Sequence, residues 1–76
     1  MKKWDHLKGI YQHYKGQKYR VLDVVKHSET LEDLVLYECL YENDLAKVWV
    51  RPYDIFFSKT ENGRERFQKI EDAIIE

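Results

Sequence analysis

Two short stretches hold the side chains best suited to chemistry. His27-Ser28-Glu29-Thr30 sets an imidazole two residues from a carboxylate, and Trp49-Val50-Arg51 sets an indole two residues from a guanidinium. An imidazole titrates near neutral pH, so a loop presenting His27 and Glu29 could change charge as it meets a partner. On a strand, residues two apart point the same way. Trp49 and Arg51 would then form a patch able to stack on a ring or fork onto a carboxylate. Tyr14 and Tyr19, interleaved with Lys15, Lys18 and Arg20, add rings among positive charges. Plain structural roles compete with each reading. Ser and Thr beside acids satisfy the backbone of a tight loop, Trp49 can fill a core, and Arg51 can pair with Glu38 or Asp23.

Catalysis finds little support. A Ser-His-Asp relay needs three side chains within hydrogen-bond reach. Ser28, Ser58 and the three histidines supply the types, but no motif frames them. Cys39 falls mid-strand on the expected core face, the setting of an inert thiol. Zinc takes three or four closely spaced ligands, and His27, Glu29 and the distant His13 do not provide that spacing. The expectation is a non-catalytic protein with no metal and no cofactor.

The chain has 76 residues, enough for one domain spanning 1–76 with a small core. Its 14% aromatic content suits that limit, since each buried ring removes roughly 150–250 Å² from water. One cysteine allows no internal disulfide, which points to a reducing, cytoplasmic setting. No apolar segment follows Met1-Lys2-Lys3, so no signal peptide is expected, and no apolar run reaches the length of a membrane helix. Net charge is −1, which disfavours strong polyanion binding. The charge is unevenly spread: residues 1–27 hold seven Lys/Arg against two Asp, residues 28–46 hold six acids and no base, and residues 47–76 hold six of each. Such asymmetry can steer a partner.

The elements that position these residues read as short strands. Ile10–Tyr14, Tyr19–His27, Leu34–Tyr41 and Ala46–Arg51 are strand candidates, and Arg64–Ile70 is a closing one. Gly16 and Gly63 mark turns, and Pro52 ends a strand because it cannot donate to a ladder. Asp54–Phe57 fits a single 3-10 turn. Apolar spacing in Ile70–Ile75 is compatible with a short C-terminal helix. A two-residue turn at Asn43-Asp44 would pair Cys39 with Val48, Tyr37 with Val50 and Glu38 with Trp49. Val35, Tyr37, Cys39, Val48 and Val50 would then face the core. Leu36, Glu38, Leu40, Lys47, Trp49 and Arg51 would face the other way, and a one-residue slip would bury Glu38 and Lys47. Apolar residues on both faces imply a sheet that bends over on itself. About five short strands with a 3-10 turn fit an all-β, SH3-like barrel. An OB-like barrel is the alternative.

The run His13-Tyr14-Lys15-Gly16, Tyr19, His27-Ser28-Glu29-Thr30, Val48-Trp49-Val50-Arg51-Pro52, Phe56-Phe57 and Arg66-Phe67 resembles a family of small bacterial domains, Domain of Unknown Function 1653. The resemblance spans about Gly9 to Ile70. It implies an SH3-type barrel and no established activity.

Together these readings predict a recognition or accessory module for an unknown protein or peptide, monomeric or weakly homodimeric. Its predicted surface is His27, Glu29, Trp49, Arg51, Tyr14 and Tyr19. The alternative is a weak RNA- or DNA-binding barrel that uses the basic, tyrosine-rich first hairpin. The acids at 29–33 and 42–44 would oppose phosphate nearby.

Overall fold

The computed structural model describes residues 4–72. A 3-10 turn, Asp5–Leu7, leads into five strands: β1 (Gly9–His13), β2 (Lys18–Lys26), β3 (Asp33–Cys39), β4 (Val48–Pro52) and β5 (Phe67–Asp72). A single helical turn, α1 (Tyr53–Phe56), separates β4 from β5. All pairings are antiparallel, in the order β4-β3-β2-β1-β5. The all-β expectation of about five short strands holds.

The two edges, β4 and β5, stand four strand spacings apart. In a flat sheet that is about 19 Å. Yet the guanidinium of Arg51, on β4, lies 5.3 Å from the ring centroid of Phe67, on β5. The sheet therefore curls back on itself, and its inner side is the core. A bulge helps it bend. In the β2–β3 ladder Val21 pairs with Tyr37 and Asp23 with Leu36, so Leu22 is an extra residue. Bulges bend a strand and increase its twist. The extra residue also lets Val21 and Val24, three apart, both point inward, where they are buried.

The buried set is Tyr11, Val21, Val24, Val35, Tyr37, Cys39, Phe56 and Phe67. Phe56 and Phe67 stack with ring centroids 4.0 Å apart and planes 4° from parallel. Tyr11 meets Phe56 edge-on at 5.6 Å. Its hydroxyl donates to the Leu7 carbonyl at 2.8 Å, which ties the 3-10 turn to the barrel. Burial, with Tyr53 and Asp72 nearby, pushes the Tyr11 phenol up to about 12.

The β3–β4 connection differs from expectation. There is no two-residue turn at Asn43-Asp44. The Cys39 N–H donates to the Lys47 carbonyl at 2.8 Å, closing a longer loop. Inside it the Asn43 side-chain oxygen accepts from the Leu45 N–H at 2.8 Å, a local turn that replaces the hairpin turn. The register shifts by one: Glu38 pairs with Val48, Tyr37 with Trp49, Leu36 with Val50 and Val35 with Arg51. A one-residue shift reverses the faces of one strand. Here that strand is β4. Trp49 and Arg51 turn inward, whereas Val48 and Val50, expected in the core, are 46% and 50% exposed. β3 keeps its expected faces. Glu38 stays on the outer face, its side chain 14% exposed but paired with Arg20 at 2.7 Å, and Lys47 is exposed 3.9 Å away, so the slip turns neither charge into the core.

Two smaller expectations also change. The turn after Pro52 is α-helical and begins at Tyr53, and the 3-10 turn lies at Asp5–Leu7. The closing strand starts at Phe67 and runs through Ile70 to Asp72, so those residues are extended rather than helical. The remainder of the tail, 73–76, lies outside the described residues.

Candidate functional site: a cationic aromatic seam around His13

The seam where the edges of the curled sheet approach each other collects rings and cations. Alternation along β1 puts Tyr11 and His13 on one face, and pairing sets Tyr19 opposite Tyr11 and Phe67 opposite His13. The His13 ring lies 4.4 Å from Tyr14, 4.8 Å from Phe67 and 6.5 Å from Tyr19. Tyr19 meets Tyr41 edge-on at 5.6 Å, and their hydroxyls share a 3.0 Å hydrogen bond. Arg51 crosses from β4 to lie over Phe67. The Lys15 ammonium lies 5.8 Å from the centroid of the Tyr14 ring.

Three cations act on one imidazole. His13 is held below its ordinary titration range, first by burial and then by the positive charges of Arg51, Lys15 and Arg66. Its Nδ1 accepts from the Lys15 N–H at 3.2 Å, so the neutral ring is also the one the loop requires. Burial and the bond to Tyr41 raise the Tyr19 phenol, against the pull of Arg51. Both groups are thus uncharged at neutral pH. The positive charge is carried by Arg51, Lys15 and Arg66. Among the described residues none of the three makes an ion pair, whereas Arg20, Lys26, Lys8 and Lys69 each sit against a carboxylate. Arg66 donates through Nε to Ser58 Oγ at 3.0 Å, which fixes its side chain without neutralising it.

The structure thus brings together three of the expected surface residues, Tyr14, Tyr19 and Arg51. Trp49 lies on the same inner face, packs against the core, and donates from its indole nitrogen to the Ala46 carbonyl at 2.9 Å. Arg51 pairs with neither Glu38 nor Asp23: Glu38 holds Arg20 and Lys47, and Asp23 accepts from the Val24 N–H at 2.8 Å.

His27 and Glu29 are elsewhere. They sit on the β2–β3 loop, where His27 Nδ1 accepts from the Glu29 and Thr30 amides at 3.1 and 3.3 Å. Among the described residues no bond or ring contact joins them to the seam. His27 organises its own loop.

His13, Tyr41, Phe67 and Arg66 complete the seam and were not expected in it. Alternation from Tyr11 to His13 was the available signal for His13. The others depend on curling that no local pattern announces. Among the described residues no three His, Cys, Asp or Glu side chains gather as a metal site. No described helix is long and apolar enough to cross a membrane.

Fold and site together define a small all-β domain whose barrel seam carries uncompensated cations among aromatic rings. The family model described as a protein of unknown function, DUF1653, matches residues 9–69. The chain belongs to that family. The crystal structure of a DUF1653 protein from Bordetella bronchiseptica matches with a TM-score of 0.78 at 30% identity, covering 91% of this chain and 92% of that one. No curated protein matches the chain.

Proposed function

We propose that this protein is a non-catalytic SH3-like recognition domain that binds an extended peptide segment carrying a carboxylate beside an aromatic or aliphatic residue. The observation behind this reading is Arg51. It lies over a ring, within the influence of His13 and Tyr19, and pairs with no carboxylate among the described residues. A guanidinium so placed offers a forked donor pair to a carboxylate, and the surrounding rings offer apolar contact. The engagement of two candidate nucleophiles among the described residues supports a non-catalytic role. Cys39 is buried with the Asn43 amide 3.7 Å from its sulfur, and the Ser58 hydroxyl donates to the Ile55 carbonyl at 2.6 Å.

One observation favours a second reading, single-stranded nucleic acid. Lys15, Arg51 and Arg66 surround rings on which bases could stack. Acids flank the same region, with Glu42 and Asp44 beside Tyr41, and Glu61 and Glu65 beside Arg64. A polyanion meets that border along its whole length, whereas a short peptide does not.

The test is an NMR titration with acidic peptides, neutral peptides and a short oligonucleotide at about 50 and about 200 mM salt. The peptide reading expects shifts confined to Tyr14, Tyr19, Tyr41 and Arg51 and weak salt dependence. Oligonucleotide binding that falls steeply with log salt, without peptide binding, replaces it with the second reading.

A further inference from the structure

The two edges of the sheet are defended differently. β5 carries Gln68, Lys69, Glu71 and Asp72, and its ladder is interrupted at Ile70. Charge and bulges are the usual means of keeping an edge from pairing with another strand. β4 has no bulge, and its charge and proline, Arg51 and Pro52, are confined to its C-terminal end, which leaves Val48-Trp49-Val50 without either. Val48 and Val50 are exposed on its outer side, beside Leu36 of β3.

Ladder parity tells which backbone groups are free. The Cys39 N–H donates to the Lys47 carbonyl. Antiparallel pairs alternate between bonded and non-bonded, so Trp49 and Arg51 also turn their amides toward β3. Val48 and Val50 turn theirs to the open edge. Pro52 offers a carbonyl there and no N–H.

We propose that β4 pairs antiparallel with β4 of a second copy, about a two-fold axis at Val50, to form a weak homodimer with one continuous sheet. In this register Val50 exchanges both backbone bonds with its counterpart. The Val48 N–H donates to the Pro52 carbonyl of the other copy, so the proline serves only as an acceptor. On the outer side Val50 meets Val50 and Val48 meets Pro52. The register also brings the Lys47 end of each strand to the Tyr53–Asp54 end of the other. The Lys47 side chain is 77% exposed and only loosely held by Glu38 at 3.9 Å, and Asp54 is exposed with no ion pair among the described residues. That charge complementarity, joined to a self-matching apolar set, selects a second copy over an unrelated peptide. The second copy joins at the open edge of β4 with its side-chain contacts on the outer side, and the pairing is argued without the peptide reading of the seam.

The experiment is sedimentation equilibrium of the full chain from about 10 μM to about 1 mM, a span that captures association in the micromolar-to-millimolar range. The mass is expected to rise from one chain toward two. Val50→Lys should hold it at one chain while leaving the circular dichroism unchanged. Lys47→Glu should weaken the dimer at least several-fold, and adding Asp54→Lys to it should restore association. A single-chain mass throughout overturns the proposal, as does a dimer that Val50→Lys leaves intact. So does a chain that stays single while an added extended peptide protects the Val48 and Val50 amides from exchange, which assigns the edge to a peptide partner.

Discussion

Arg51 and Phe67 belong to opposite edges of one sheet, yet the guanidinium carbon of the first lies 5.3 Å from the ring centroid of the second. The contact exists because the loop after Cys39 shifts the register of β4 and turns Arg51 inward. A half-buried cation over a ring gains about 0.5–2 kcal/mol from the ring quadrupole. Its hydrogen-bonding edge remains unused by any carboxylate among the described residues, which is what makes it a recognition group as well as a seam contact.

Arg51→Met should therefore do two separable things. Removing the charge takes away the second-largest cause that holds the His13 titration down, so His13 should titrate at higher pH in the variant. Peptide shifts at Tyr14 and Tyr19 should vanish in the same protein. NMR titration of the His13 ring reads the first effect, and an unmoved His13 would contradict the seam geometry.

Stability should fall on the acid side because of His13. In the unfolded chain this group titrates at its ordinary 6.5, and in the folded one it titrates lower. Above pH 6.5 it is neutral in both states and contributes no dependence. As pH drops below 6.5 the unfolded chain takes up the proton first, so stability declines until the folded value is passed and then levels off. Urea midpoints measured between pH 8 and pH 4 should show the decline against that of the carboxylates, and His13→Gln should remove its share.

Phe56→Ala should be the most damaging core change. The residue is fully buried, stacks on Phe67 and touches Tyr11, Tyr37 and Phe57. Removing a buried Phe costs about 3–5 kcal/mol. A domain of this length has only roughly 4–11 kcal/mol in total. Thermal melts should show the variant largely unfolded at 37 °C, with Phe56→Leu still folded.

Leu31→Gly should stabilise the protein. Leu31 is 67% exposed and has φ of 63°, the left-handed region, at the end of the His27 turn. Its N–H donates to the His27 carbonyl at 2.9 Å, so the conformation is built into the loop. A branched side chain there costs roughly 1–2 kcal/mol, part of which glycine recovers. A melting temperature about 2–6 °C higher is the expected reading. An unchanged or lower one would mean that the loop relaxes around the leucine.

The sequence carried much of this. Val and Tyr runs between Gly16, Pro52 and Gly63 marked the strands, with ends off by one to three residues. The inward set of β3 was legible from alternation alone. β4 was misread because its faces depend on whether the preceding loop has an even or odd number of residues, and Asn43 supports a local side-chain turn as readily as a hairpin turn. Tyr14, Tyr19 and Arg51 were legible as surface chemistry, and Trp49 followed its competing structural role. His27 was visible as a loop histidine, but its ring serves backbone amides. Phe67 and Arg66 reach the site only through curling, a property of the whole sheet.

The extra residue at Leu22 gives that curling a separate genetic handle. Deleting it would leave Val21 and Val24 two apart, which a regular strand also points inward, so the pattern of burial would survive. What would be lost is curvature. Such a protein could keep its hydrophobic inventory yet hold its outermost strands too far apart for Arg51 to reach Phe67. Shape and composition are thus written at different positions in this chain, and one codon can alter the first while sparing the second.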